Sequence, residues 1–114
     1  MKKRIEKPWG YEEIWAQTDA YVAKVLVIKK GMRLSLQHHD RKKETMRLIK
    51  GKVILSLGYD QEEMKDIILL PNDCAEILPK CIHRLAALED SELIEVSSPE
   101  LDDVVRHEDD YGRI

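Results

Sequence analysis

The sequence predicts an all-β domain, an antiparallel sandwich or barrel, and three observations predict it. Its apolar stretches are short and mostly alternate with polar residues at the strand period of two. Gly, Asn, Asp and Pro separate these stretches at close intervals. About eight such segments follow one another, the rhythm of a sandwich or barrel.

In chain order, "AYVAKVLVIKKG" (20–31) is β-branched and closes at Gly31. "RLSLQHH" (33–39) follows almost at once. "TMRLIKG" (45–51) and "KVILSLG" (52–58) flank Gly51, which predicts a tight hairpin or bulge. "YDQEEMKD" (59–66) reads as a charged loop. "IILLP" (67–71), "CAEILP" (74–79), "HRLAAL" (83–88) and "ELIEVSS" (92–98) complete the set. Only the tail looks helical. Ser98 can cap, Pro99 can occupy a first helical position, and acidic residues fill the next turn, which predicts a short helix over 100–106.

Length and composition bound the function. The 114 residues suit one domain, 1–114, with a single core. A net charge of −3 leaves no basic excess to neutralise phosphates, which argues against nucleic acid as the main partner. No apolar run is long enough to span a bilayer. The basic "MKKR" start lacks the apolar region of a signal peptide, so a cytoplasmic protein is expected. Cys74 and Cys81 are then expected reduced and buried as packing residues, since their spacing fits no paired-thiolate zinc motif. Trp9 and Tyr11 are expected to pack the N-terminal segment on the barrel.

The segment 33–39 carries a polar face. Arg33, Ser35, Gln37 and His39 share one side; Leu34 and Leu36 share the other. His38 has the opposite parity to its neighbours and is expected to point outward. The polar "DRKK" (40–43) can turn the chain and return Glu44 beside His39, and His83 opens a later strand. Gln37, His39, Glu44 and His83 make a mixed N/O donor set for a divalent ion such as zinc, manganese, iron, cobalt or nickel. Four donors around a six-coordinate ion leave two positions for water or substrate. Alternation alone also describes a strand that simply faces water, and spacing does not exclude that reading.

"GMRLSLQHHDRKKETMRLIKG" (31–51) resembles the first signature of the cupin superfamily, with Gly31, Gln37, His39, Glu44 and Gly51 at its marked places. Gln37 stands where the usual first histidine falls. That replacement, with "KPWGYEEIW" (7–15), "HRL" (83–85), "LIEVSSPE" (93–100) and "DDVVRHEDDYGR" (102–113), resembles one branch. It is the C-terminal domain of type II mannose-6-phosphate isomerases, often fused to mannose-1-phosphate guanylyltransferase.

The resemblance implies a double-stranded β-helix, a jelly-roll barrel, with Gln37, His39, Glu44 and His83 around a metal. It implies catalytic roles for Lys42 and Arg106, and substrate binding by Arg33 and Arg41. The implied reaction interconverts mannose 6-phosphate and fructose 6-phosphate through an enediol. The alternative is a metal-binding cupin that recognises a sugar phosphate or sugar nucleotide without turning it over. A sugar phosphate is the expected small-molecule partner, and a homodimer the expected assembly. Three departures from the branch bear on this. Lys42 stands where the branch has arginine, Thr45-Met46 replaces His-Trp, and Lys80, Cys81 and Ile82 precede His83 without the usual glycine. Asn72 replaces another glycine and tolerates positive φ.

Overall fold

The computed structural model describes residues 2–114, and among them it contains eleven strands and no helix. One sheet is built from β1 (Lys3–Lys7), β2 (Gly10–Gln17), β3 (Val22–Ile28), β10 (Ser91–Ser97), β5 (Glu44–Lys50) and β8 (Cys74–Ile77), in that spatial order. The other runs β11 (Val105–Glu108), β4 (Leu36–His38), β9 (Ile82–Ala87), β6 (Val53–Gly58) and β7 (Lys65–Leu69). The pairings are antiparallel throughout.

The inward faces divide the barrel into an apolar and a charged half. On β5 and the turn before it, Lys42, Glu44, Met46 and Leu48 are all buried while the residues between them are exposed. On β10 the buried face reads Ser91, Leu93, Glu95 and Ser97. Leu93 pairs with Leu48, whereas Ser97 pairs with Glu44 and Lys24 of β3 pairs with Glu95. On β9, Leu85 and Ala87 lie opposite Leu55 and Val53, while His83 lies opposite Leu57. Leu48, Leu93, Val53, Leu55 and Ile28 are fully buried and form the apolar half. Burying such side chains stabilises the barrel by about 1.5–3 kcal/mol each.

Gly51 does not close the expected hairpin: β5 and β6 lie in different sheets, and the turn that carries the chain between them passes through Gly51, which has φ +95. A Cβ there would stand 2.4 Å from the backbone oxygen of Asp90. Only glycine fits both the conformation and the space. Asn72 does adopt positive φ, at 78. Trp9 is 3% exposed and joins the core, while Tyr11 is half-buried beneath the Arg4 guanidinium, 3.6 Å from its ring centre.

Two further expectations are corrected. The tail forms no helix over 100–106. Residues 101 and 102 turn, and Val105–Glu108 pairs with β4 instead. The Asp103 carboxylate accepts the backbone amides of Asp40, Arg41 and Lys42, at 3.0, 2.7 and 2.9 Å, so it ties the tail to another loop rather than to a helical turn. The β-branched pair Val104-Val105 favours the extended backbone that follows. Cys74 is exposed, not buried, because it begins the edge strand β8 on its outward face; Cys81 is buried in the core.

Candidate metal centre

The charged half encloses a cavity of about 120 Å³. β5 supplies Glu44, β4 supplies Gln37, β9 supplies His83, and His39 follows β4 directly. Glu44 Oε1 lies 3.2 Å from His39 Nε2 and 3.2 Å from His83 Nε2. All three side chains are buried, and their facing atoms lie within 4.8 Å of one another. Gln37 is paired with His83 across β4 and β9, and its side chain lines the same cavity.

The outer ring nitrogens determine the chemistry of the inner ones. His39 Nδ1 lies 2.5 Å from the carbonyl oxygen of Asp103, and His83 Nδ1 lies 2.9 Å from that of Cys81. A carbonyl only accepts, so each Nδ1 carries the proton and donates it. In its neutral form each ring then turns a bare Nε2 lone pair toward the same carboxylate oxygen. Two lone pairs facing a buried anion repel unless a cation stands between them. The second Glu44 oxygen is buried without a hydrogen-bond partner. Two neutral imidazoles fixed by carbonyls, a carboxylate and an amide together fit a divalent cation.

The turn that presents His83 works without the usual glycine. Lys80 adopts φ 71, donates its amide to the His39 carbonyl at 2.7 Å, and places its ammonium 2.8 Å from Asp40. This turn links the His39 and His83 segments.

Further charges line the cavity. Lys42 Nζ is 3.5 Å from Glu95 Oε2 and 3.7 Å from Glu44 Oε2. Burial opposes the Lys42 charge, but Glu95 and Glu44 outweigh it and raise its pKa. Burial also opposes the Glu44 charge, yet Glu95, His39 and His83 beside it, with Lys42 nearby, hold its pKa well below the usual range. Glu95 is pushed up to about 8 by burial and by the Glu44 carboxylate. Buried Lys24 and half-buried Glu12, 3.5 Å apart, are a further pair lining the cavity.

Of the expected site residues, Gln37, His39, Glu44, His83, Lys42 and Arg106 all reach the cavity. Arg106 lies opposite Gln37, and its Nε is buried without a partner. Arg33 and Arg41 are outside that lining. Arg33 precedes the regular strand and departs from its alternation; it is exposed and held by Asp110 at 2.6 and 2.9 Å. Arg41 is exposed because it has the opposite parity to Lys42. Thr45 is likewise exposed and lies outside the cavity lining, whereas Met46 lines it.

Glu95, Lys24, Glu12 and Asp103 were not anticipated from the sequence. The available signal was a charged residue at an inward position of an otherwise apolar strand, as in "LIEVS" and "VAKVLVI". Asp103, whose pKa falls to about 2 under the amides of Arg41 and Asp40, carried no such signal.

Residues 1–109 match the family described as "Mannose-6-phosphate isomerase C-terminal". The chain belongs to this family. Among curated members of similar sequence, the xanthan biosynthesis protein XanB of Xanthomonas campestris pv. campestris is 30% identical over 97% of this chain and 24% of its own length. The alginate biosynthesis protein AlgA of Pseudomonas aeruginosa is 31% identical over 96% of this chain and 23% of its own. The chain thus spans about a quarter of the length of the curated relatives it matches. Its fold is the cupin barrel. The solved structure of KdgF from Halomonas sp. superposes with a TM-score of 0.74 at 22% identity, over 88% of this chain and 90% of that one. Within this mannose-6-phosphate isomerase C-terminal family, the His39–Glu44–His83 cluster and the enclosed charges around it are the chain's candidate functional centre.

Proposed function

We propose that this chain is a metal-dependent sugar-phosphate isomerase domain that interconverts mannose 6-phosphate and fructose 6-phosphate through an enediol. One observation carries the reading: His39 and His83, each with its Nδ1 on a backbone carbonyl, both aim Nε2 at one buried carboxylate oxygen, each at 3.2 Å. His39, His83, Glu44 and Gln37 hold the cation; zinc, manganese, iron, cobalt and nickel all suit such donors. A cation held there supplies Lewis-acid stabilisation of the oxyanion charge that develops during isomerisation.

The chain's own residues do the rest. Glu95 is the buried carboxyl that the cation donor set leaves free, and it carries the proton between the two sugar carbons. Lys42 keeps its charge beside Glu95 and Glu44, which suits charge stabilisation rather than proton abstraction. Arg106, with its unpartnered buried Nε, binds the phosphate. Arg33 and Arg41 take no part in this reading.

The cavity's size favours a second reading. Its volume of about 120 Å³ is small beside the ~300–1,000 Å³ of ordinary ligand pockets. A cupin that binds metal and recognises only part of a sugar phosphate or sugar nucleotide fits that volume without turnover. A coupled assay with mannose 6-phosphate separates the two. Turnover that disappears on chelation and in Glu44→Gln supports the isomerase. Saturable sugar-phosphate binding with no turnover supports the recognition module.

A further inference from the structure

The outer face of β4 and β11 carries a second imidazole pair, distinct from the interior one. His38 Nδ1 lies 2.8 Å from His107 Nε2, with ring centres 5.0 Å apart. The strand register explains how they meet. Val105 pairs with His38 and Arg106 with Gln37, but the register then slips, so that Glu108 pairs with Leu36. His107 is the residue left over. A bulge of this kind re-aims a side chain, and here it turns His107 toward His38. Both rings are half-buried.

Each outer nitrogen has its own partner. His38 Nε2 lies 3.1 Å from an Asp40 carboxylate oxygen, which Lys80 Nζ also approaches at 2.8 Å. His107 Nδ1 lies 3.4 Å from the Gln61 amide. A carboxylate only accepts, so His38 carries its proton on Nε2, and its Nδ1 lone pair points at His107. His107 at present donates Nε2–H to that lone pair. If its proton moves to Nδ1, and the Gln61 amide turns its oxygen to accept it, two lone pairs converge on one point. No proton is gained or lost overall. A carboxylate and an amide behind a pair of imidazoles are what a metal site uses to set tautomer and ring orientation.

The spacing selects the ion. Two nitrogens at about 2.0–2.1 Å from a metal are about 2.9 Å apart across a right angle and about 3.3 Å apart across a tetrahedral one. The observed 2.8 Å matches neighbouring corners of a square. Square-planar and tetragonal nitrogen sites suit copper(II) and nickel(II), and copper(II) heads the affinity order for imidazole.

We propose that His38 and His107 form a second metal site, on the barrel's outer face, that takes copper(II) or nickel(II), with water completing the coordination. The site does not depend on the isomerase reading. It also accounts for all the chain's imidazoles, because the chain has four histidines and the interior centre uses only His39 and His83.

The experiment titrates the metal-stripped full chain with copper(II) alone, counting bound ions by equilibrium dialysis and reading the ligands by electron paramagnetic resonance. The expected result is two ions per chain, each bound by two imidazole nitrogens, with the surface ion giving a tetragonal signal that persists when the interior pair is removed. His107→Leu and His38→Met, on separate strands, should each remove that signal and one ion. The ion they retain shows that the barrel is folded. His39→Ala should leave the two-imidazole signal in place. If either surface variant binds as many ions as the wild type, the pair is only a hydrogen-bonded clasp and the proposal fails. Loss of both ions in both variants overturns the independence of the two sites.

Discussion

Gln37 stands directly opposite His83 where β4 meets β9, the one register pair that joins those strands. That pairing connects the signature over 31–51 with the segment that opens at His83 in a single structural step. The donor on one strand and the donor on the other are neighbours because the backbones are paired, not because a loop carries either across. Replacing His83 with Ala should therefore lower the affinity for a divalent ion at least 10-fold, with Gln37→Ala showing the same direction and a smaller effect. Metal content per chain after dialysis against a metal buffer checks both.

Arg106 enters the cavity from β11 with a buried, unpartnered Nε. Arg106→Ala should raise the KM for mannose 6-phosphate, or weaken the binding of the sugar phosphate, by about 10–100-fold. Lys restores charge but not the planar fork, so Arg106→Lys should recover only part of the loss. Arg33→Ala should leave both quantities unchanged, since its guanidinium is engaged by Asp110 on the exterior.

Among the carboxylates that bind protons more weakly in the fold than in the unfolded chain, three stand out. Burial opposes the Glu44 charge, but Glu95, His39, His83 and Lys42 around it more than compensate. Asp103, under the amides of Arg41 and Asp40, and Asp109, held by Arg113, both fall to about 2. Their stabilisation is complete above the unfolded carboxylate value of about 4 and is lost as pH falls toward 2. The thermal midpoint should thus drop steadily over that window. Asp103→Asn should lower the midpoint at pH 7 and flatten the acid slope. A midpoint indifferent to pH between 5 and 2 contradicts this assignment.

Glycines 51 and 31 both have positive φ, yet they differ in surroundings. A Cβ at Gly51 meets the Asp90 backbone, whereas one at Gly31 meets nothing within 4 Å. Gly31→Ala should cost only the conformational penalty, about 1 kcal/mol. Gly51→Ala should cost clearly more, about 2–4 kcal/mol, because the β5–β6 turn must also move. Urea midpoints of the two variants test the difference.

The barrel was largely legible in the sequence, because alternation and short turns are local signals, whereas the His39–Glu44–His83 cluster was singled out by the family resemblance, since spacing alone left a water-facing strand open. The strand from Glu44 and the strand ending in "LIEVSS" lie where the pattern puts them. The tail was misread because Ser98, Pro99 and the acidic residues after them imitate a helix start. What decides otherwise is tertiary, namely the Asp103 carboxylate on the amides of Asp40, Arg41 and Lys42. The strands β1 and β2 escaped notice because charged residues punctuate them and β1 lies at a sheet edge. Arg33 was assigned to the wrong environment because alternation was extended beyond the regular part of β4, which begins at Leu36. Glu95 and Lys24 were invisible for the opposite reason. A lone charge in an apolar strand carries no label for the partner that makes its burial tolerable, and each finds that partner on a different strand or turn.

The most direct measurement is an anomalous-scattering map from crystals grown with manganese(II) or zinc(II). The account predicts a single interior peak within about 2.0–2.3 Å of His39 Nε2, His83 Nε2 and Glu44 Oε1, with the Gln37 amide oxygen beside it. An interior without a peak, in which both imidazoles are doubly protonated and donate to Glu44, would contradict it.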